Sequence, residues 1–216
     1  YREPWRDDYP HATPGELGAG YDALSLLGRF LDDYPWARGA LLQFAMKQGY
    51  ASGPDVGAPP VYGSWGEGLD THRPLADLFN ASVTIDRADL AHVFELVCAV
   101  YAQHGGSTVV TVRFMERAQG LLGPAGFPHN AVIDFGGPRS QRTADAYARV
   151  VERLDAEGVV FTRHWAKSCR LDAARVAADY GEDFRRWRAA RDRLLPDPAH
   201  RALFGSEVLD GLGLTC

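Results

Sequence analysis

The order of strand-like and helix-like segments in the middle of the chain most constrains what it can fold into. Apolar residues recur three or four positions apart from Leu90 to Tyr101 and from Ala144 to Leu154, the spacing of a helix with one buried face. The helices are predicted at about 90–104 and 141–157, and glycine follows each. Alternating or short apolar runs predict four strands, at 82–85, 108–115, 131–135 and 159–162.

In chain order these segments are strand, helix, strand, strand, helix, strand, which is the ferredoxin-like split βαβ arrangement. This order predicts an α+β fold, in which one antiparallel sheet carries both flanking helices on one face. The run 136–138, Gly-Gly-Pro, is predicted to end the third strand. The second face of the sheet needs a cover, and the helical patterns within 21–49 and 171–205 are the candidates.

Composition and the predicted elements divide the chain into three parts. We assign an irregular and helical N-terminal segment to 1–73, the βαββαβ core to 74–163 and a helical C-terminal tail to 164–216. Glycine and proline in 50–73 predict a loop there. The tail predicts two helices, at 171–180 and 183–195, before Pro-Asp-Pro at 196–198.

Composition excludes several classes of protein. With 46% hydrophobic residues and a net charge of -5, the chain has the apolar content of a folded domain. It contains no apolar run of about 18 residues, so no membrane span is expected. The arginines of the tail alternate with acidic residues, and the predicted strands carry no adjacent aromatic pair, so no nucleic-acid partner is expected.

The cysteines and histidines indicate no metal site. Cys98, Cys169 and Cys216 are few and odd in number, which argues against a disulfide framework and favours a reducing, cytoplasmic environment. Cys98 falls within an apolar helical pattern and is predicted to be a buried, inert thiol. The seven histidines are scattered without zinc-ligand spacing, and phosphate-binding and nucleophile-elbow motifs are also lacking.

Arg113 lies within the predicted strand 108–115, between the apolar residues Val112 and Phe114, and shares a face with Thr111. An arginine there is costly unless it is paired or meets a ligand. Asp134 on the next predicted strand is a possible partner. Two interpretations therefore remain open: a structural Arg113–Asp134 pair on a solvent-facing side, or a site in which Arg113 orients a substrate or cofactor.

Lys167 stands out because Lys47 and Lys167 are the only lysines among 23 basic residues. A lysine where arginine is the default suggests that a compact positive charge is needed. It follows His164 and Trp165 directly after the last predicted strand. The alternatives are a surface lysine beside an edge histidine and a core tryptophan, or a charge beside a ligand pocket walled by Trp165.

These two segments are similar to motifs of one enzyme family. The run 164–167, His-Trp-Ala-Lys, resembles the His-Trp-Gly-Lys motif of the vanillyl-alcohol-oxidase-like FAD enzymes, in the branch of sugar-alcohol, aldonolactone and cholesterol oxidases. The run 110–114 resembles the Glu-x-Arg strand of that branch, and 196–209 resembles its C-terminal end. The resemblance extends over about 75–213 and concerns the family's C-terminal substrate-binding, or cap, domain.

The resemblance implies roles for individual residues. Lys167 would lie near the pyrimidine side of the flavin with His164 beside it, and Arg113 would orient the hydroxyl being oxidised. Thr111 and Trp165 would line the substrate site. Thr111 replaces the family's glutamate, which removes a hydrogen-bond acceptor for a polyol, and Ala166 replaces its glycine.

The resemblance also implies a cofactor, FAD, held mainly by an FAD-binding domain upstream of this chain or in a partner chain. The chain begins at Tyr1 rather than methionine and lacks a phosphate-binding loop, so it is expected to be a cap domain that does not turn over alone. The expected reaction is hydride transfer from an alcohol or sugar-like hydroxyl substrate to flavin. The alternative is a free-standing ferredoxin-like ligand-binding module without redox activity.

Overall fold

The computed structural model describes residues 30, 33–37, 40, 78–169 and 171–215. Most of the helical patterns within 21–49, and the whole predicted loop at 50–73, lie outside these residues. The described residues fall into two compact units, the larger of which comprises Phe79–Gly105, Val109–Gly136 and Ala144–Cys216. No helix in this described part of the chain has both the length and the apolar composition to cross a bilayer.

The predicted order of elements is confirmed. The core consists of β1 (Leu78–Asp86), α1 (Leu90–His104), β2 (Val109–Glu116), β3 (His129–Pro138), α2 (Gln141–Ala156) and β4 (Phe161–Arg163). The tail consists of α3 (Ala173–Leu194), α4 (Pro198–Leu203) and α5 (Glu207–Gly211).

The four strands form one antiparallel sheet in the order β2-β3-β1-β4. This is the order expected of an α+β fold of the ferredoxin-like split βαβ type, because each helix connects two strands that are not neighbours. Thr111 on β2 lies opposite Asp134 on β3, and Val83 on β1 lies opposite Arg163 on β4. The topology therefore brings the Arg113 strand next to the strand that carries Asp134.

Both helices pack on one face of the sheet, as predicted. The main core unites alternate strand residues with one stripe of each helix: Phe79, Ala81, Val83, Ile85, Val93, Val97, Val100, Ala131, Ile133, Phe135, Tyr147, Val150, Leu154 and Phe161. The prediction that Cys98 is buried is wrong, since this thiol is exposed. It follows the fully buried Val97, and a helix turns about 100° per residue, so Cys98 leaves the buried stripe.

Strand β3 is longer than predicted because it continues through the glycines that were expected to end it. Gly137 has a steric reason to be glycine: a Cβ atom there would lie 2.4 Å from the carbonyl oxygen of Ser107. Any side chain would collide with that backbone. Glycine at 137 therefore allows the backbone of β3 to lie close to Ser107, and it does not break the strand.

The tail forms a second hydrophobic cluster. Val176, Tyr180, Phe184 and Leu214 are buried together, and Leu122 and Trp165 pack against them. The two helices predicted there are confirmed: α3 consists of two helical stretches that meet in a kink at Gly181, where the backbone is not helical and φ is +47°. The left-handed backbone value explains the kink, since glycine adopts it without a steric penalty.

The face of the sheet away from α1 and α2 receives a cover that the sequence did not predict. The connection 117–128 between β2 and β3 reaches across it, and the Thr162 hydroxyl of β4 donates a hydrogen bond to the Pro124 carbonyl oxygen. Asn130 fixes the near end of this connection, since its amide nitrogen donates to the Phe127 carbonyl oxygen at 2.7 Å and its amide oxygen accepts from the Phe127 N–H at 3.0 Å.

Candidate functional site

Asp134 is the central group of a charged cluster on the sheet face away from the helices. Its neighbours in β3, Ile133 and Phe135, are fully buried in the main core. Because successive side chains of a strand point to opposite faces, Asp134 is directed to the other face. Its side chain is only 12% exposed, so the carboxylate needs partners to offset the loss of water.

Arg113 is the first of these partners, and the Arg113–Asp134 pair that the sequence left open as one of two interpretations is present. Arg113 lies opposite Val132, two residues along β3 from Asp134, and a long side chain reaches such a diagonal neighbour. Its Nε donates to Asp134 Oδ2 at 2.7 Å and its Nη2 donates to Oδ1 at 3.1 Å. The pair is bidentate, which fixes the plane of the guanidinium relative to the carboxylate.

Lys167 is the second partner. It follows β4, which lies at the other end of the strand order from the Arg113 strand β2. The turn 164–168 follows β4 and remains tied to β1: the Ser168 N–H donates to the Asn80 carbonyl oxygen at 2.7 Å. From this turn Lys167 Nζ donates to Asp134 Oδ1 at 2.5 Å. The turn thus carries the ammonium past β1 to β3, and the Lys167 side chain is only 18% exposed.

The electrostatics of the cluster favour the ionised carboxylate. Burial alone raises the pKa of Asp134, but the hydrogen bonds and positive charges of Arg113 and Lys167 outweigh it and hold the pKa below its ordinary value of 3.8. Two cations around one anion leave the cluster with a formal charge of +1. Arg113 Nη1 has no hydrogen-bond partner among the described residues, and the Arg113 side chain is 56% exposed.

We expect Asp134→Asn to destabilise the protein by about 1–2 kcal/mol at neutral pH, since hydrogen bonds to charged groups are lost but Arg113 stays partly hydrated. A lowered folded-state pKa contributes stability above the unfolded-state value, and this contribution disappears as the pH falls through the folded-state value. In urea unfolding, the difference between wild type and variant should therefore shrink below pH 3.8. Glu182→Gln, in an exposed pair with Arg185, is the control and should change little.

The remaining predicted site residues lie in different surroundings. Thr111 is exposed and lies directly opposite Asp134, so its hydroxyl shares the face of the cluster. His164 is half-buried in the turn before Lys167, where its Nδ1 accepts a hydrogen bond from the Ala166 N–H at 3.2 Å. Trp165 packs into the second hydrophobic cluster and donates from its indole N–H to the Tyr180 hydroxyl at 3.0 Å.

The structure thus brings Thr111, Arg113 and Lys167 together and directs Trp165 into a core. The bond between Lys167 and Asp134 was not predicted from the sequence. The scarcity of lysine singled out Lys167 but did not reveal its partner. Chemically, the cluster offers fixed positive charge and a guanidinium N–H donor. It is poorly suited to accept a proton, because Asp134 is a weak base at its lowered pKa and already accepts three hydrogen bonds.

No group of three or more histidine, cysteine or acidic side chains able to hold a metal ion occurs in 78–169 and 171–215 or in the few described residues before them. Comparison with models of known protein families gives no match to this chain, and comparison with curated proteins gives none either.

Proposed function

We propose that this chain is the substrate-binding domain of an FAD-dependent oxidoreductase that oxidises an alcohol or a sugar-like hydroxyl by hydride transfer to flavin. The proposal requires an FAD-binding domain, upstream or in a partner chain, and a small hydroxyl-bearing substrate. One observation carries it: Arg113 and Lys167, which belong to two separate sequence motifs similar to those of such enzymes, both bind the same carboxylate, Asp134.

The donors of the cluster fit a flavin. Flavin gains negative charge as it accepts a hydride, and a nearby fixed cation lowers the free energy of that change. The cluster has an excess of positive charge, which is the sign needed to stabilise a negatively charged reduced flavin. Lys167 would hold this charge beside the flavin, and Asp134 would fix its position and that of Arg113. His164, which precedes Lys167 in the same turn, would contact the cofactor.

Arg113 would act on the substrate. Its exposed guanidinium retains Nη1 as a donor after the bidentate bond to Asp134, so it can bind the substrate hydroxyl oxygen and orient the carbon-hydrogen bond. Thr111 on the same face offers a hydroxyl instead of a carboxylate, which favours a substrate less polar than a simple sugar alcohol. Trp165 packs against the second hydrophobic cluster, so it would support the turn that carries Lys167 instead of contacting the substrate.

The proposal is tested on the natural protein that contains this chain, isolated from its source. We expect visible flavin absorption bands and release of FAD on denaturation. Under anaerobic conditions a member of a panel of primary alcohols, secondary alcohols, lactols and sterols should bleach these bands. Arg113→Met should raise the substrate concentration needed for half-maximal bleaching, since the oxygen loses its donor.

Isolation of a colourless protein that releases no flavin, and that takes up none when FAD is added, would overturn the proposal. The interpretation as a ligand-binding module without redox activity would then account for the cluster. Titration of the same panel with this colourless protein, followed by tryptophan fluorescence, would show whether it binds the compounds without oxidising them.

A further inference from the structure

Strand β2 is an edge strand of the sheet that the structure describes. It spans eight residues, Val109–Glu116, and within the described sheet only β3 is its neighbour. Its register with β3 is constant from Val109 opposite Gly136 to Glu116 opposite His129, so no bulge interrupts it. The strand contains no proline and no lysine, which natural proteins use to block edges.

The edge also exposes apolar side chains. Val109 is 56%, Phe114 60% and Met115 44% exposed, although each is a large hydrophobic residue. They lie towards the two ends of β2. A strand that adds to this edge would hydrogen-bond the backbone groups of β2 that point away from β3 and cover these side chains at the same time.

The order of polar and apolar residues along β2 is symmetric about Val112. Polar residues lie one position away on each side, and apolar residues lie two and three positions away on each side: Thr111 and Arg113, then Val110 and Phe114, then Val109 and Met115. A second copy of β2 that pairs in the antiparallel direction would therefore place its polar residues opposite polar residues and its apolar residues opposite apolar ones.

We propose that β2 pairs in an antiparallel manner with β2 of a second copy of this chain, with Val112 on the two-fold axis. Phe114 then faces Val110 of the second copy, and Met115 faces Val109. The two sheets become one continuous sheet of eight strands, with the helices of both copies on the same side.

Charge distinguishes this register from one of its two neighbours. A two-fold axis at Arg113 would set two guanidinium groups directly opposite each other, which is destabilising. With the axis at Val112, Arg113 faces the Thr111 hydroxyl of the second copy. The two arginines are then diagonal to each other rather than face to face, and each is paired with the Asp134 of its own chain. Edge pairing extends the sheet sideways and does not place the second copy over the face that carries Asp134.

The test is sedimentation of the purified chain over a range of concentrations. We expect the wild-type chain to dimerise. Val109→Lys should raise the dissociation constant of the dimer at least about tenfold, because Met115 of the other copy loses its apolar contact and the new charge lies diagonal to Arg113 and Arg117 of that copy. The two-fold axis repeats this effect at a second, symmetric place. Val160→Lys, at a side chain 65% exposed outside β2, is the matched control and should leave the dimer intact.

A second substitution tests the register. Combining Val109→Lys with Met115→Glu places opposite charges face to face twice across the axis, so dimerisation should return to within about threefold of wild type. Val109→Lys with Met115→Lys should remain monomeric. Circular dichroism and thermal unfolding of each variant establish that the chain is folded.

A wild-type chain that stays monomeric overturns the proposal. A dimer that Val109→Lys leaves unchanged, or that the charge pair fails to restore, overturns it as well.

Discussion

Phe135→Ala is expected to lower the free energy of unfolding by about 3–5 kcal/mol, the usual cost of removing a fully buried aromatic ring. The side chain of Phe135 has no exposed surface. Its ring lies 6.3 Å from that of Tyr101 in a stacked arrangement and 5.3 Å from that of Tyr147 in an edge-to-face arrangement. The cavity would therefore open between β3 and both helices, where neighbouring groups cannot easily fill it.

Urea unfolding followed by circular dichroism measures this loss. Phe204→Ala is the matched control, because it removes the same ring from a side chain that is 68% exposed, and it should cost less than about 1 kcal/mol. Equal costs for the two variants would contradict a core in which both helices pack on one face of the sheet.

For the proposed oxidoreductase, Lys167→Met is expected to slow flavin reduction by about a hundredfold or more, which is the usual effect of removing one charge-stabilising donor from an active site. Methionine keeps the length of the side chain and removes its charge. Asp134 retains its bidentate bond to Arg113, so the fold should survive. Anaerobic stopped-flow measurement of the flavin absorption gives the rate.

Two further variants define what Lys167 contributes. Lys167→Arg retains the charge and should recover part of the rate. Arg185→Met removes an exposed cation from α3, where it pairs with Glu182, and should leave the rate at the wild-type value. Reduction of the Lys167→Met protein at the wild-type rate would remove Lys167 from the proposed chemistry.

Local periodicity predicted the elements of the core because each depends on a buried stripe. Leu90 to Tyr101 repeats at helical spacing, and β2 alternates between Val110 and Val112 on one side and Thr111 and Arg113 on the other. The adjacency of the second and third predicted strands also anticipated the Arg113–Asp134 bond. These inferences need only neighbours along the chain or across one hairpin.

Features that depend on distant contacts could not be predicted in this way. Lys167 reaches Asp134 because the turn after β4 returns along β1, and that path is set by backbone bonds to Asn80 and Ser82. The cover contributed by Pro124 depends likewise on a hydroxyl of β4. The apolar neighbours of Cys98 predict that it belongs to the buried stripe of α1, but its angular position on the helix lies outside that stripe.

The convergence of Arg113 and Lys167 on Asp134 is tested most directly by a carbon-13 NMR titration of the Asp134 carboxyl in the folded chain. We expect its pKa to lie below 3.8 in wild type and to be higher in Lys167→Met, where one of the two cations is absent. An Asp134 pKa at or above 3.8 in wild type, unchanged in Lys167→Met, would contradict the cluster and the role proposed for it.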